Sequence, residues 1–272
     1  MTRDATEGPD VGARAVFALE AARRAGEIVM GYFARARLAV EAKSDGSPVT
    51  IADREGERLL RRMILQAFPD DGVLGEEDGE TPGRSGVRWV LDPIDGTASF
   101  VRGVPLFGTL VACELGERAL AGVIHMPALG ESVWAWSGGG AWHEAAGGGR
   151  TRARVSSVSS LNEAMFCTTS YDYFRRAGRG GAMVELLERS GSSRGWGDCY
   201  AYLLCATGRA DVVVDPVMQR WDIAPMRVII PEAGGRCTDW EGIDAPGARS
   251  WVVSNGRLHD EVVGLLGRGE AR

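Results

Sequence analysis

Lysine is almost missing from this 272-residue chain: of its 31 basic residues 30 are arginine, and the one exception is Lys43. A general arginine bias is a matter of codon usage, but the position that keeps a lysine is worth following. Histidine is scarce too, with only His125, His143 and His259. His143 opens HEAAG rather than HExxH, which leaves little of a zinc-hydrolase reading. The cysteines (Cys113, Cys167, Cys199, Cys205 and Cys237) are odd in number, widely spaced and without a CxxC pair. They read as buried free thiols in a reducing cytoplasm, not as disulfides or a metal cluster. No run of apolar residues reaches the length of a membrane span, and MTRDATEGPDVGARA lacks the apolar stretch of a signal peptide. With 37 acidic residues against 31 basic ones the formal charge is −6, ill suited to nucleic-acid phosphates or an anionic membrane surface.

A composition 44% hydrophobic and 25% charged is that of a globular protein, with ample core for one large domain or two of average size. Apolar positions at helical spacing, among them Val16, Leu19, Ala22 and Val29, predict a long helix over 11–36. The turn-rich AKSDGSPVT follows, and then a second helix over about 51–67, capped by Thr50 with Asp53 at the acidic position of a capping-box-like start. From 72 the period falls to two. Strands are expected over 72–77, 88–96, 107–115, 119–127, 131–137 and 140–144, joined by glycine-containing turns into an antiparallel meander with the two helices packed against it. GGGR at 147–150 reads as the linker to a second half that alternates strand and helix, with one helix running from 221 to Gly234–Gly235. The expected division is therefore an α+β half over 1–150 and an α/β half over 151–272.

The most informative string is LDPIDGT at 91–97. An apolar strand ends in Asp92, Pro93 and Asp95, so two carboxylates converge at its carboxyl edge while the turn aims the Ile94 carbonyl inward. Hard divalent cations such as Mg²⁺ take oxygen ligands of this kind. Gly96 and Thr97 then open a short helical turn whose free N–H groups form a corner for phosphate. A tight turn with two solvated aspartates would produce the same seven letters. Glu76–Glu77–Asp78 closes another strand, and Asp222 sits at a helix start. Each alone reads as a solvated loop or a cap; three acidic groups at three element ends are harder to dismiss together.

In this order, Lys43-SDGSPVT-x-Ala-Asp53, Gly75-Glu76-Glu77, Asp92-Pro-Ile-Asp95-Gly-Thr97 and Trp221-Asp222-x-Ala224 resemble the inositol monophosphatase family over about 11–265. VRGVPLFGTL, together with the stretch from Trp196 to Asp222, is more similar to the family's histidinol-phosphate phosphatase branch. The resemblance implies a layered α-β-α-β-α sandwich, a fold of the α/β (α+β) class, with a Mg²⁺ site in the crevice between the halves. It implies a Mg²⁺-dependent phosphomonoesterase that lithium inhibits, commonly a homodimer, to which an exposed segment with Trp134, Trp136 and Trp142 would contribute. Glu76, Asp92 and the Ile94 carbonyl would hold a first ion; Asp92, Asp95 and Asp222 a second; and Glu76 would reach a third through water. Thr97 and Asp53 would orient and deprotonate the attacking water, the Gly96 and Thr97 amides would grip phosphate, and Lys43 would approach the phosphate or metal-bound water as a compact point charge. Two ions about 3.5–4 Å apart stabilise attacking and leaving oxygens without a covalent intermediate.

Specificity is expected from the second half. Asp215 falls where the family places an acidic substrate contact, Gly197, Asp198 and Cys199 fall at the turn lining the same pocket, and Arg194 and Arg102 are further candidates for its wall. Two carboxylates facing the leaving group suit a cationic alcohol such as histidinol better than a neutral polyol. Asp198 has an equally good reading as the N-cap of the helix that follows. An inositol-1-phosphatase-like or broad-specificity enzyme is the alternative. A catalytically silent relative is disfavoured by the full set of ligands, and a Walker A loop by Ala42 preceding Lys43.

Overall fold

The computed structural model describes residues 10–33, 40–42 and 48–267. Lys43, assigned above to the phosphate, lies outside them. Helix α1 (Val11–Tyr32) starts on Asp10, whose carboxylate accepts the Ala13 N–H at 3.0 Å. It buries a face of small residues, Ala15, Ala18, Ala21, Ala22, Ala25 and Gly26, which lets it lie close on a sheet. It ends at Tyr32, where Phe33 turns to extended ψ and packs on Phe107 and Phe100, with ring centroids 4.8 and 5.8 Å away; residues 34–36 of the expected helix lie outside the described ones. Helix α2 (Ile51–Ala67) starts as the sequence implies. Thr50 caps it, and Asp53 returns the capping-box bond to the Thr50 N–H at 2.7 Å. The turn-rich stretch before α2 contributes two short paired strands, β1 (Val40–Ala42) and β2 (Pro48–Thr50).

The expected meander is present in strands β3 (Gly72–Gly75), β4 (Gly79–Thr81), β5 (Val87–Asp95), β6 (Gly108–Leu115), β7 (Arg118–Met126), β8 (Glu131–Trp136), β9 (Gly140–Glu144) and β10 (Arg150–Arg152). They form one sheet in the order β10-β9-β8-β7-β6-β5-β3-β4. All pairs are antiparallel except β3 with β5, which run side by side and bring both carboxyl ends to one edge. A single turn of helix, α3 (Thr97–Phe100), follows β5. Gly147, Gly148 and Gly149, taken as a linker, instead turn the β9–β10 hairpin, all three in the left-handed region. Glycine tolerates that conformation in a tight turn as readily as in a tether, and composition alone does not tell the two apart.

The second half supplies β11 (Met165–Cys167), α4 (Tyr171–Arg176), α5 (Gly180–Arg189), β12 (Ser192–Arg194), α6 (Asp198–Ala206), β13 (Val212–Asp215), α7 (Arg220–Ile223), α8 (Met226–Glu232), β14 (Arg236–Thr238), β15 (Trp251–Ser254) and α9 (His259–Leu266). Its five strands are ordered β12-β11-β13-β15-β14. The helix expected from 221 is two helices, because Pro225 has no N–H to continue the first and serves as the N-cap of the second.

Alternation within the strands builds the layers. Val111 and Trp89 face α1 and α2, while Leu110 faces α6 and α8 on the other side of the sheet. Val213 and Val253 close that middle layer, whereas Val212, Val214 and Val252 point outward to α5 and α9. The result is the five-layer α-β-α-β-α sandwich, with the middle core shared between the halves. Trp134, expected to be exposed, is 1% exposed because its position on β8 faces the α1 layer; Trp136 and Trp142 are partly buried and stack 6.5 Å apart. Among the described residues no helix is long and apolar enough to cross a membrane.

Candidate active site

The carboxyl ends of β3, β5 and β13 and the first turns of α3, α6 and α7 meet around a cavity of about 190 Å³. Its wall includes Glu76, Asp92, Ile94, Asp95, Gly96, Thr97, Asp198, Asp215 and Asp222. Parallel pairing sets Gly75 beside Leu91, so Glu76, just past the end of β3, comes level with Asp92 of β5, and the Glu76 N–H donates to the Leu91 carbonyl at 3.2 Å. Asp92, Asp95 and Asp222 each bring a carboxylate oxygen within 4.8 Å of the other two, a spacing one cation can bridge.

Each acid is fixed by a local bond. Asp92 accepts the Ile94 N–H at 3.0 Å, which closes the Asp-Pro-Ile turn. Asp95 accepts the Cys199 N–H from the start of α6. Asp222 accepts the Gln219 N–H at 2.7 Å as the acidic arm of a second capping box. The Thr97 hydroxyl donates to the Ile94 carbonyl at 2.9 Å and approaches Asp53 at 3.5 Å. That carbonyl has two lone pairs, so one remains for a further partner. Gly96 adopts φ +85°, and a Cβ there would lie 2.9 Å from the Leu106 carbonyl oxygen; both facts restrict the position to glycine.

Charge dominates the cavity. Burial, then repulsion from Glu76, Asp95 and Asp222, pushes the Asp92 carboxyl well above its ordinary range. Burial and Asp95 do the same to Asp222. Burial lifts Asp95 to about 6 against the opposing pull of its bonds with Cys199. A cluster of this kind cannot be fully ionised at neutral pH without a counter-cation, so the donor set fits hard divalent ions.

The second half closes the cavity with more acid. Asp198 is the one non-glycine described residue with positive φ, +52°. It is the first helical residue of α6 and not its cap: Gly197 holds the N-cap position, and no side chain bonds there. Its N–H instead donates to the Thr169 hydroxyl at 2.9 Å, and the strained backbone leaves its carboxylate on the cavity wall, on the Gly96 side. Burial, Asp95 and Asp215 raise the Asp198 carboxyl well above its usual range. Asp215 is held by the Tyr202 hydroxyl at 2.6 Å, the Thr169 N–H at 2.8 Å and the Thr168 hydroxyl at 3.1 Å.

The two arginines are placed elsewhere. Arg194, at the exposed end of β12, donates to the Ser193 carbonyl at 2.7 Å and borders a separate cavity with Ser170 and Tyr171. Arg102 is exposed and donates to the Ala98 carbonyl at 3.1 Å. Sequence reasoning missed Thr169, Tyr173, Tyr202 and Gln219 on the cavity wall. The available signals were Tyr202 one helical turn after Asp198, and Thr169 two residues past the end of β11.

The profile of the inositol monophosphatase family matches residues 12–268. The chain belongs to the inositol monophosphatase family. A histidinol-phosphatase of Chlorobaculum parvum is 40% identical over 257 residues, spanning 93% of this chain and 96% of that protein. A histidinol-phosphatase of Mycobacterium tuberculosis is 38% identical over 254 residues, 93% and 98% of the two. Among solved structures, an IMPase of Thermotoga maritima is similar with a TM-score of 0.83 at 33% identity, covering 94% of this chain and 97% of that one. The chain is a phosphoric monoester hydrolase of a metal-dependent family.

Proposed function

We propose that this enzyme hydrolyses L-histidinol phosphate to L-histidinol with Mg²⁺ as cofactor. The observation that carries the substrate is Asp198. A residue held at φ +52° costs conformational energy, and what the strain secures is a second carboxylate on the cavity wall with Asp215, contributed by the start of α6 on the Gly96 side. An amino alcohol brings the cation that such a wall is built to neutralise; a neutral polyol leaves two buried carboxylates repelling each other. The two histidinol-phosphatases at 40% and 38% identity support the same substrate.

Glu76, Asp92 and the Ile94 carbonyl are proposed to hold one Mg²⁺, and Asp92, Asp95 and Asp222 another, with Glu76 reaching a third through water. When bound, the metal supplies charge neutralisation on the phosphoryl oxygens and acidifies water. The protein does the rest. Asp53 is oriented by the Thr50 N–H and hydroxyl, both at 2.7 Å, which leaves its other oxygen toward Thr97. The Thr97 hydroxyl passes a proton from the attacking water to that oxygen. The Gly96 and Thr97 amides, at the opening of α3, hold the phosphate, and Lys43 adds a positive charge. Asp198 and Asp215 orient the ammonium or imidazolium of the leaving alcohol. We infer a homodimer inhibited by lithium on the family resemblance, and a reducing cytoplasm also on the five buried free cysteines.

The similarity to the Thermotoga maritima IMPase favours an inositol-1-phosphatase-like or broad-specificity enzyme as a second reading. The test measures kcat/KM for histidinol phosphate, inositol 1-phosphate, fructose 1,6-bisphosphate and adenosine 3′,5′-bisphosphate. Histidinol phosphate is expected to lead, and another substrate exceeding it overturns the assignment. Asp198→Asn should lower kcat/KM for histidinol phosphate by about 10–100-fold, the worth of a lost buried charge contact. Hydrolysis of p-nitrophenyl phosphate, which has no cation to place there, should stay near wild type.

A further inference from the structure

The geometry points to Glu57 as the residue that positions Glu76 for metal binding. Glu57 is fully buried on α2, one turn after Asp53, yet it lines no part of the cavity. Its carboxylate accepts the Glu77 N–H at 2.7 Å and the Asp78 N–H at 3.0 Å. Those are the two amides that follow Glu76 in the β3–β4 turn. The same carboxylate is paired with Arg61 Nε at 2.7 Å, and Arg61 reaches on to the Thr81 hydroxyl at 3.1 Å and to the Gly79 carbonyl. The turn is thus gripped from below along its whole length, while Leu91 of β5 holds the Glu76 N–H from the side.

Such a grip is needed because the turn is Glu-Glu-Asp, three adjacent acidic residues that repel one another when no cation is present. Two charge-assisted bonds to consecutive amides fix the backbone where repulsion would open it. Gly75 makes the contact possible: a Cβ at that position would lie 2.2 Å from Glu57 Oε1. Changing a residue that orients a metal ligand without touching the ion commonly costs roughly 10–100-fold in metal affinity or activity. Asp53 and Glu57, on one face of α2, thereby tie the water-activating side of the site and a metal ligand to one rigid element.

This role rests on the reading of Glu76 as a metal ligand, and the test separates the two. Metal affinity is read from the Mg²⁺-induced rise in Tm and from the Mg²⁺ concentration that half-activates phosphate release. In Glu57→Gln, one amide loses its acceptor. The half-activating concentration is expected to rise about tenfold or more, with a smaller Mg²⁺-induced Tm shift and kcat at saturating metal near wild type. Gly75→Ala should reproduce the defect by expelling the carboxylate. Asp71→Asn serves as the structural control: Asp71 is equally buried and holds Arg14, Ser85 and Trp89 at the far end of β3. It should lower Tm and leave the metal requirement unchanged. A wild-type metal requirement in Glu57→Gln, beside a raised one in Glu76→Gln, overturns the positioning role. A wild-type requirement in Glu76→Gln overturns the metal-ligand reading beneath it, and the role of Glu57 with it.

Discussion

Asp92→Asn is expected to reduce phosphate release by at least about 10³-fold while making the metal-free protein more stable, a combination that a merely structural aspartate would not give. Asp92 is 2% exposed and lies among Glu76, Asp95 and Asp222. Burial and those three charges push its carboxyl far above the usual range, so at neutral pH the metal-free fold carries the cost of ionising it or of holding its proton. Asparagine keeps an oxygen for the Ile94 N–H, which Asp92 accepts at 3.0 Å, and removes one negative charge from the cluster. The metal-free Tm should therefore rise by a few degrees at pH 7.5, and the Mg²⁺-induced increase in Tm should shrink. Differential scanning calorimetry with EDTA and with saturating Mg²⁺, beside a phosphate-release assay, measures all three quantities. A lower metal-free Tm with activity retained would show that Asp92 serves the fold and not the ions.

The features legible from the sequence are those written in local, short-range chemistry. Thr50 and Asp53 form a capping box three residues apart, whereas the approach of Asp53 to Thr97 spans 44 residues and was expected only from the family resemblance. Asp92 and Asp95 lie in one turn, so their convergence needed no long-range information. What was not legible depends on packing between distant segments. Whether Gly147–Gly149 tether two halves or turn a hairpin is decided by β10 pairing with β9. Whether Asp198 caps a helix or lines a cavity is decided by Thr169, 29 residues away, taking its N–H. Arg194 was a candidate for the pocket wall, but at the end of β12 it borders a separate cavity. Glu57 reads as an ordinary helix glutamate until β3 folds over it, and only the absent side chain of Gly75 hints at the contact.

The stability of the metal-free protein is expected to fall as pH rises from 6.5 to 8, and saturating Mg²⁺ should flatten most of that slope. An aspartate in the unfolded chain titrates near pH 3.9. In the fold, Asp95 titrates at about 6, and Asp92, Asp198 and Asp222 are raised well above the ordinary value. A group whose folded pKa is raised stabilises most below its unfolded pKa, and that contribution is lost as pH climbs through the folded value. His125 and His259 work in the opposite sense at lower pH. Burial depresses both to about 4 from an ordinary 6.5, so they cost stability as pH drops below 6.5 and mask the carboxylates there. By about pH 7.5 the histidines are largely neutral in both states, and the acidic cluster sets most of the slope, with a smaller contribution of the same sign from the five buried cysteines, whose thiols burial pushes up. A bound divalent cation favours the ionised carboxylates, so the gain in Tm on adding Mg²⁺ should grow steadily over this window, and stripping the metal with EDTA should remove phosphatase activity throughout it. Tm measured at pH 6.5, 7.25 and 8 in EDTA and in Mg²⁺ decides the matter. Parallel slopes in the two conditions would mean that the cluster does not hold the ion; diverging slopes, flattened in EDTA by Asp92→Asn, would tie the pH dependence to the same carboxylates that carry the chemistry.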